Sequence, residues 1–369
     1  MKYKIITISP IHIGNGNEIS PMEYVIDEKF YRIDMDDLFK DRNFDVNGFI
    51  EDTKLETFYL GYRYGSIAKK HNLYSLDISK DASSYIRRNN YNTRIREFIK
   101  TGGKPYVPGS SIKGAIRTAI MWYSLKNDEQ IYYELVKYIE KIWNREERKP
   151  DRKWAASKIE RMIFGKDPNH NLMRAFHVAD TDGIHLKSLK IENIRIFSAK
   201  KVGYGYKGFD SIVEALNKRT KAHTTIKIDD FLIKNKEELK FKEIMIKYLH
   251  NFAKICNEYA KDLIEYEINF FRKYNDGKLN QIIDFYESLY DELDSGILLR
   301  LSWGTGWHGM TVGRLLEEDV LERLRKIYNL GRRRNMPYFV KPFPKTRKIV
   351  FEDGMARYPL GWIKLEGIK

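Results

Sequence analysis

An α+β fold, with helices lying against one side of a sheet, is what the sequence predicts on three observations. Short runs rich in β-branched or alternating residues recur at 3–8, 172–180, 189–197, 220–229 and 297–303. Helical periodicity falls between these runs, at 112–123, 128–144, 154–164, 236–275 and 281–293. A length of 369 residues exceeds one ordinary domain and accommodates two.

Composition narrows the class of partner. With 66 basic against 51 acidic residues, the formal net charge of +15 points first to a polyanion, with a membrane surface or simple solubility as competing readings. The single cysteine, Cys256, excludes an internal disulfide framework and a cysteine-rich zinc site. It falls in the apolar helical series Met245, Leu249, Phe252, Cys256, Ala260, Leu263, which marks a buried small hydrophobe. The basic start is followed by no signal-like apolar run, and no later stretch reaches the ~20 apolar residues of a membrane span, so a soluble, cytoplasmic protein with no membrane partner is expected.

The first strand runs into Ser9-Pro10 and then His12, Gly14 and Gly16, a turn that exposes backbone amides. His12 has the chemistry of a general acid or base, although a histidine beside a strand end commonly serves packing or hydrogen bonding. Asp34, Asp36 and Asp37 precede an apolar stripe and read as a helix start. Residues 81–103 carry spaced aromatics and five basic residues, a mixture suited to single-stranded nucleic acid and equally to a loop.

The stretch from Tyr106 to Tyr123 is the organising element. Pro108-Gly109 breaks the chain, Ser110 or Ser111 is placed to cap a helix, and Ile112, Ala115, Ile116, Ala119, Ile120 and Tyr123 form one apolar stripe. Lys113, Gly114, Arg117 and Thr118 fall on the opposite side, which suits a phosphate chain or an ordinary solvated face.

Further along, the 189–197 strand is expected to bulge near Asn193. His177, His185, Asp180 and Asp182 resemble metal ligands without a third convergent group, so no metal and no cofactor is assigned. The run Lys200 to Gly208, with Tyr204 and Tyr206, is the best boundary, dividing the chain into 1–202 and 203–369. Gly304-Thr-Gly306-Trp307-His308-Gly309 contains a formal dinucleotide fingerprint in the wrong context, since only a short basic tail follows. Residues 332–348 hold seven basic residues and no acidic one, and their prolines argue for an extended polyanion contact.

Three stretches carry a resemblance. Residues 106–119, Tyr-Val-Pro-Gly-Ser-Ser-Ile-Lys-Gly-Ala-Ile-Arg-Thr-Ala, resemble the signature segment of the RAMP proteins, the repeat-associated RNA-binding subunits of CRISPR effector complexes. The glycine-rich loop at 303–309 and the terminal stretch 358–365 are similar to one branch, the fifth subunits of type III-A Csm complexes. The resemblance implies two ferredoxin-like, RRM-type units with helical insertions and glycine-rich loops. It also implies a subunit that caps the complex at the 3′ end of the guide RNA (crRNA) and supports its maturation. The implied partners are the guide RNA and the neighbouring RAMP and small Csm subunits, and a recruited host nuclease is left open.

An RNA-binding subunit without its own catalytic site is the expected function. Its expected contacts are His12, Gly14, Gly16, Ser111, Lys113, Gly114, Arg117, Gly304, Gly306, Arg314, Arg332, Arg333, Lys345 and Arg347, with His308 in the second glycine-rich loop. Tyr204, Tyr206 and Trp307 are expected to stack on bases. The rival class is a metal-independent endoribonuclease acting on guide precursors, with His12 and His308 as its candidate acid/base groups. A scaffold whose basic surface is incidental is the third.

Overall fold

The computed structural model describes residues 1–331 and 342–368. Its helices and strands form two large sheets and one small two-stranded pair, with helices packed against them, the α+β arrangement of ferredoxin-type sheets with helical insertions that the sequence predicts.

The first sheet is antiparallel throughout, in the order Ile297–Arg300, Trp362–Ile368, Lys2–Thr7, Lys221–Ile228, Phe176–Val178. Lys2–Thr7 and Phe176–Val178 run the same way on either side of Lys221–Ile228, with the central helix Gly109–Asn127 in the connection between them, a split β-α-β unit. Along Lys221–Ile228 the residues Ala222, Thr224 and Ile226 are buried while Lys221, His223, Thr225 and Lys227 are exposed. This period of two gives the sheet one wet face and one face for helices.

Ile112, Ile116, Ala119 and Ile120 of the central helix are buried as their spacing requires, in a core shared with Tyr3, Ile5, Ile363 and Leu365. Neither Ser110 nor Ser111 caps the helix. Asp180 does so from the neighbouring loop, its Oδ1 accepting from the Gly109 N–H at 2.7 Å. Gly109 itself is held against the strand Phe176–Val178, since a Cβ there would lie 2.2 Å from the Val178 carbonyl. The helical stretch 236–275 is two helices, Glu243–His250 and Phe252–Tyr274, and Cys256 is fully buried in the second, where burial pushes its thiol pKa up.

The second sheet is built on the eleven-residue strand Leu189–Ala199. Its first half pairs with Ser211–Leu216 and Asn72–Ile78, and its second half with Thr346–Glu352 and the hairpin strand Tyr204–Tyr206. The strand changes neighbours around Asn193, and its pairings carry no bulge there. Position 202 lies in the turn of that hairpin, in which Phe197 faces Tyr206. The strand expected at 172–180 is confined to Phe176–Val178, preceded by a 3-10 turn. Asp34 caps a helix at Met35–Leu38, as its position suggests. No described helix is long and apolar enough to cross a membrane.

Candidate nucleic-acid interface

Where the first strand leaves its sheet, the Trp362 N–H donates to Ser9 Oγ at 3.0 Å, and the chain turns past His12 into the strand Gly14–Ile19. Facing it is the loop after Ile297–Arg300, in which Ser302, Gly304 and Gly306 all have positive φ (70°, 103° and 77°). Two glycines in such a loop are chemically reasonable, since left-handed backbone costs a Cβ-bearing residue ~1 kcal/mol or more. Between them lies a cleft of about 770 Å³ bounded by His12, Gly14, Gly16, Ser111, Gly304, Gly306 and Trp307, seven of the residues expected from sequence.

A second cleft of about 440 Å³ adjoins the first, sharing Ser111, Ser302, Met310 and Thr311 with it and adding Gly114, Arg117 and Thr118 of the central helix. The exposed backbone at Gly114 is open, with nothing within 4 Å of a Cβ built there. Arg117 is ion-paired with Glu160 and lies 5.7 Å from the Phe164 ring. Lys113 is half-buried and borders neither cleft. Burial, and then Arg117, holds its pKa below the usual lysine range.

Three further side chains line the first cleft together: Arg96 and Trp303, which were not among the expected contacts, and Lys348, expected only as part of the basic run 332–348. The Trp303 indole has Arg96 at 5.1 Å and Lys348 at 4.5 Å from its ring, so two cations share one aromatic platform. Arg96 also lies 3.6 Å from Glu18. Lys348 is held below the normal lysine pKa by burial first and by Arg96 second. Bringing an anion into this cleft would offset the mutual repulsion. A signal for these residues was present in the basic runs 81–103 and 332–348, but which of their cations point together depends on strands paired across the fold.

The cleft also fixes the state of His12. Its ring is buried, with Nδ1 2.7 Å from the Glu214 carbonyl and Trp303 edge-on at 5.6 Å. Burial lowers its pKa to about 4, helped by the charges of Arg96 and Lys100, so the ring is neutral at pH 7.

Several expected contacts lie elsewhere. Arg347 is buried and paired with Glu267, and Arg314 is paired with Asp262, its side chain 8% exposed. His308 is buried against Tyr266 at a 4.3 Å ring separation, and neither of its ring nitrogens has a partner among the described residues. Tyr204 stacks on Phe197 at 4.9 Å and donates to Asp276, while Tyr206 packs edge-on to Phe351. These rings are therefore occupied within the fold. Trp307 borders the cleft but also packs on Phe343 at 5.0 Å. Lys345 is half-buried beside the second sheet, its carbonyl accepting from the Ala199 N–H. Arg332 and Arg333 lie outside the described residues. Of the four suspected metal ligands, Asp180 caps the central helix, Asp182 meets His223 at 3.1 Å, and His177 lies 3.6 Å from Asp229.

Residues 4–307 match the RAMP superfamily, a span that includes the central helix and ends within the glycine-rich loop. The chain belongs to the RAMP superfamily. Within it, the chain is 29% identical to the CRISPR system Cms protein Csm5 of Methanocaldococcus jannaschii, over 99% of this chain and 88% of that protein. It is 31% identical to Csm5 of Streptococcus thermophilus over 32% of this chain and 37% of the relative. Among solved structures, a chain of a Csm–crRNA–target RNA ternary complex of a type III-A CRISPR-Cas system superposes with a TM-score of 0.78 at 27% identity, covering 99% of this chain and 100% of the other. The crystal structure of T. onnurineus Csm5 shares the fold, with a TM-score of 0.69 at 22% identity, over 98% of this chain and 99% of that one. The likeness to the Csm5 branch thus runs through this RAMP chain nearly end to end.

Proposed function

We propose that this RAMP protein is an RNA-binding structural subunit of a type III-A CRISPR effector complex, holding the 3′ part of the guide RNA and supporting its maturation. The observation that carries the reading is the cleft in which the His12–Gly16 turn, the N-terminal part of the central helix and the Gly304–Trp307 loop converge beside Arg96 and Lys348. Open glycine backbone and two cations suit a ribose-phosphate chain and carry little base information, so binding is largely indifferent to sequence. The likeness to Csm5 proteins and to a chain of a Csm–crRNA assembly supports the same reading, with crRNA and neighbouring Csm subunits as partners. Recruitment of a host nuclease would follow from such a position at the end of the complex.

The test is single-stranded RNA binding by the purified full chain across a salt series. Wild type should bind with an affinity that falls steeply with salt, and Arg96→Ala with Lys348→Ala should weaken binding and flatten the slope by about 0.7 per lost phosphate contact. A flat salt response, or an unchanged slope in the double variant, would count against this cleft.

One observation favours the second reading, an endoribonuclease: a neutral histidine, the protonation state of a general base, borders the cleft. Incubation of the identically purified wild type and His12→Ala with RNA separates the two. RNA left intact by both is expected.

A further inference from the structure

His12 offers the cleft a neutral hydrogen-bond acceptor. A carbonyl oxygen can only accept, so the 2.7 Å contact with the Glu214 carbonyl places the proton on Nδ1 and leaves the lone pair on Nε2. Nε2 has no partner among the described residues, and the ring cannot turn freely between Phe98 and Trp303, both edge-on to it. Glu214 is equally fixed, because its carboxylate accepts from the Tyr74 hydroxyl at 2.7 Å, the Phe98 N–H at 2.8 Å and Lys100 Nζ at 2.5 Å. Protonation at Nε2 is opposed by burial and by the Arg96 and Lys100 charges, so the group remains an acceptor through neutral pH.

Gly14 supplies the second observation. Its φ is not in the left-handed region, so backbone conformation does not demand glycine at this position. What the missing side chain leaves uncovered is the imidazole edge, since a Cβ at Gly14 would stand 3.1 Å from His12 Nε2.

We propose that His12 Nε2 accepts a hydrogen bond from a ribose 2′-hydroxyl, making this cleft selective for ribonucleotides over deoxyribonucleotides. The inference rests on the RNA-binding reading above. Phosphate oxygens cannot donate, so on the backbone of a bound strand the 2′-hydroxyl is the one group able to satisfy this lone pair. Arg96 and Lys348 border the same cleft, and their charges suit the phosphates of that backbone. His12 is then a specificity-determining residue that leaves the hydroxyl intact.

The experiment measures binding of the full chain to fluorescent oligonucleotides of one sequence as RNA, DNA and 2′-O-methyl RNA. Wild type should prefer RNA by about fivefold over both others, the worth of one hydrogen bond of ~1 kcal/mol. Gly14→Ala, which crowds Nε2, and His12→Phe, which removes it, should bring the ratio of RNA to DNA affinity, measured within each variant, from about five to about one. Equal wild-type affinity for RNA and DNA would overturn this inference and leave the RNA-binding reading standing. No binding of any strand would overturn that reading itself. An RNA preference that survives in Gly14→Ala, or for 2′-O-methyl RNA, would remove His12 from the discrimination. Cleavage of RNA that disappears in either variant would make His12 a base and not a spectator acceptor.

Discussion

Arg347 Nε donates to Glu267 Oε2 at 2.6 Å between two buried side chains, while the adjacent Lys348 lies on the opposite face of the same strand and borders the cleft beside His12. Neighbours in sequence thus have unrelated duties. Arg347→Met should cost about 3–5 kcal/mol of stability, because it strands the Glu267 carboxylate in the core. Removing both charges, in Arg347→Met with Glu267→Leu, should recover most of the loss. Urea unfolding reads both values. Unchanged stability in Arg347→Met, with weaker RNA binding, would return Arg347 to the phosphate contacts.

Arg117 faces the second cleft but is engaged by Glu160, and both side chains are about one-third exposed, at 35% and 34%. An ion pair this accessible is worth under ~1 kcal/mol, so a phosphate can compete for the guanidinium. Glu160→Gln should leave the melting temperature nearly unchanged and strengthen RNA binding about two- to fivefold at low salt. Unchanged affinity at every ionic strength would show that Arg117 is not an RNA contact.

Gly114 sits in the exposed middle of a helix turn where alanine fits. Gly114→Ala should stabilise the protein by ~0.8–1 kcal/mol through helix propensity alone. If the RNA backbone approaches this turn, the added methyl should at the same time weaken binding severalfold. Calorimetry and binding therefore move in opposite directions, which a general folding defect cannot produce. Gly306 makes a poorer probe, since its φ of +77° strains any replacement regardless of RNA.

His308 should make the fold acid-sensitive. Burial, followed by the charges of Arg347, Arg314 and Arg300, lowers its pKa to about 2, whereas in the unfolded chain it titrates near 6.5. The unfolded state thus binds the proton first, and stability present above pH ~6.5 declines as pH falls toward 2, at up to ~1.4 kcal/mol per pH unit. His12 acts in the same direction down to about 4. His71, whose pKa is raised by hydrogen bonds to Asp37 and then Asp41, acts oppositely: its contribution is fully present below ~6.5 and is lost as pH rises through its folded value. His308→Phe removes one titration and no hydrogen bond, because neither ring nitrogen has a described partner. The variant should match wild type at pH 8 and melt higher at pH 5. Parallel curves across this range would refute the assignment.

The legible parts of this protein are those in which local pattern and final environment agree. Ile112, Ile116, Ala119 and Ile120 announce a helix face, and Gly304 with Gly306 announces a loop whose backbone has positive φ. What was not legible involves partners distant in sequence. Asp180 rather than a serine caps the central helix from 71 positions away. Tyr204 and Tyr206, read as base-stacking rings, instead meet Phe197 and Phe351 across strand pairings. The basic run ending at Lys348 reads as one contact until strand alternation sends Arg347 inward. Arg96, Trp303 and Lys348 come from three separated segments, so their shared platform had no local signature.

The hydrogen bond from Trp362 to Ser9 spans 353 positions, and beside it the strand Lys2–Thr7 pairs with Trp362–Ile368. During synthesis, therefore, the strand Lys2–Thr7 must wait for the far later Trp362–Ile368 before this flank is covered. At ~5–20 residues per second that interval is roughly 20–70 s, during which an unpaired, half-apolar edge is open to wrong partners. High contact order of this kind slows folding and exposes nascent chains to aggregation. Production at reduced temperature, or alongside a chaperone, should raise the soluble yield more than any single surface substitution.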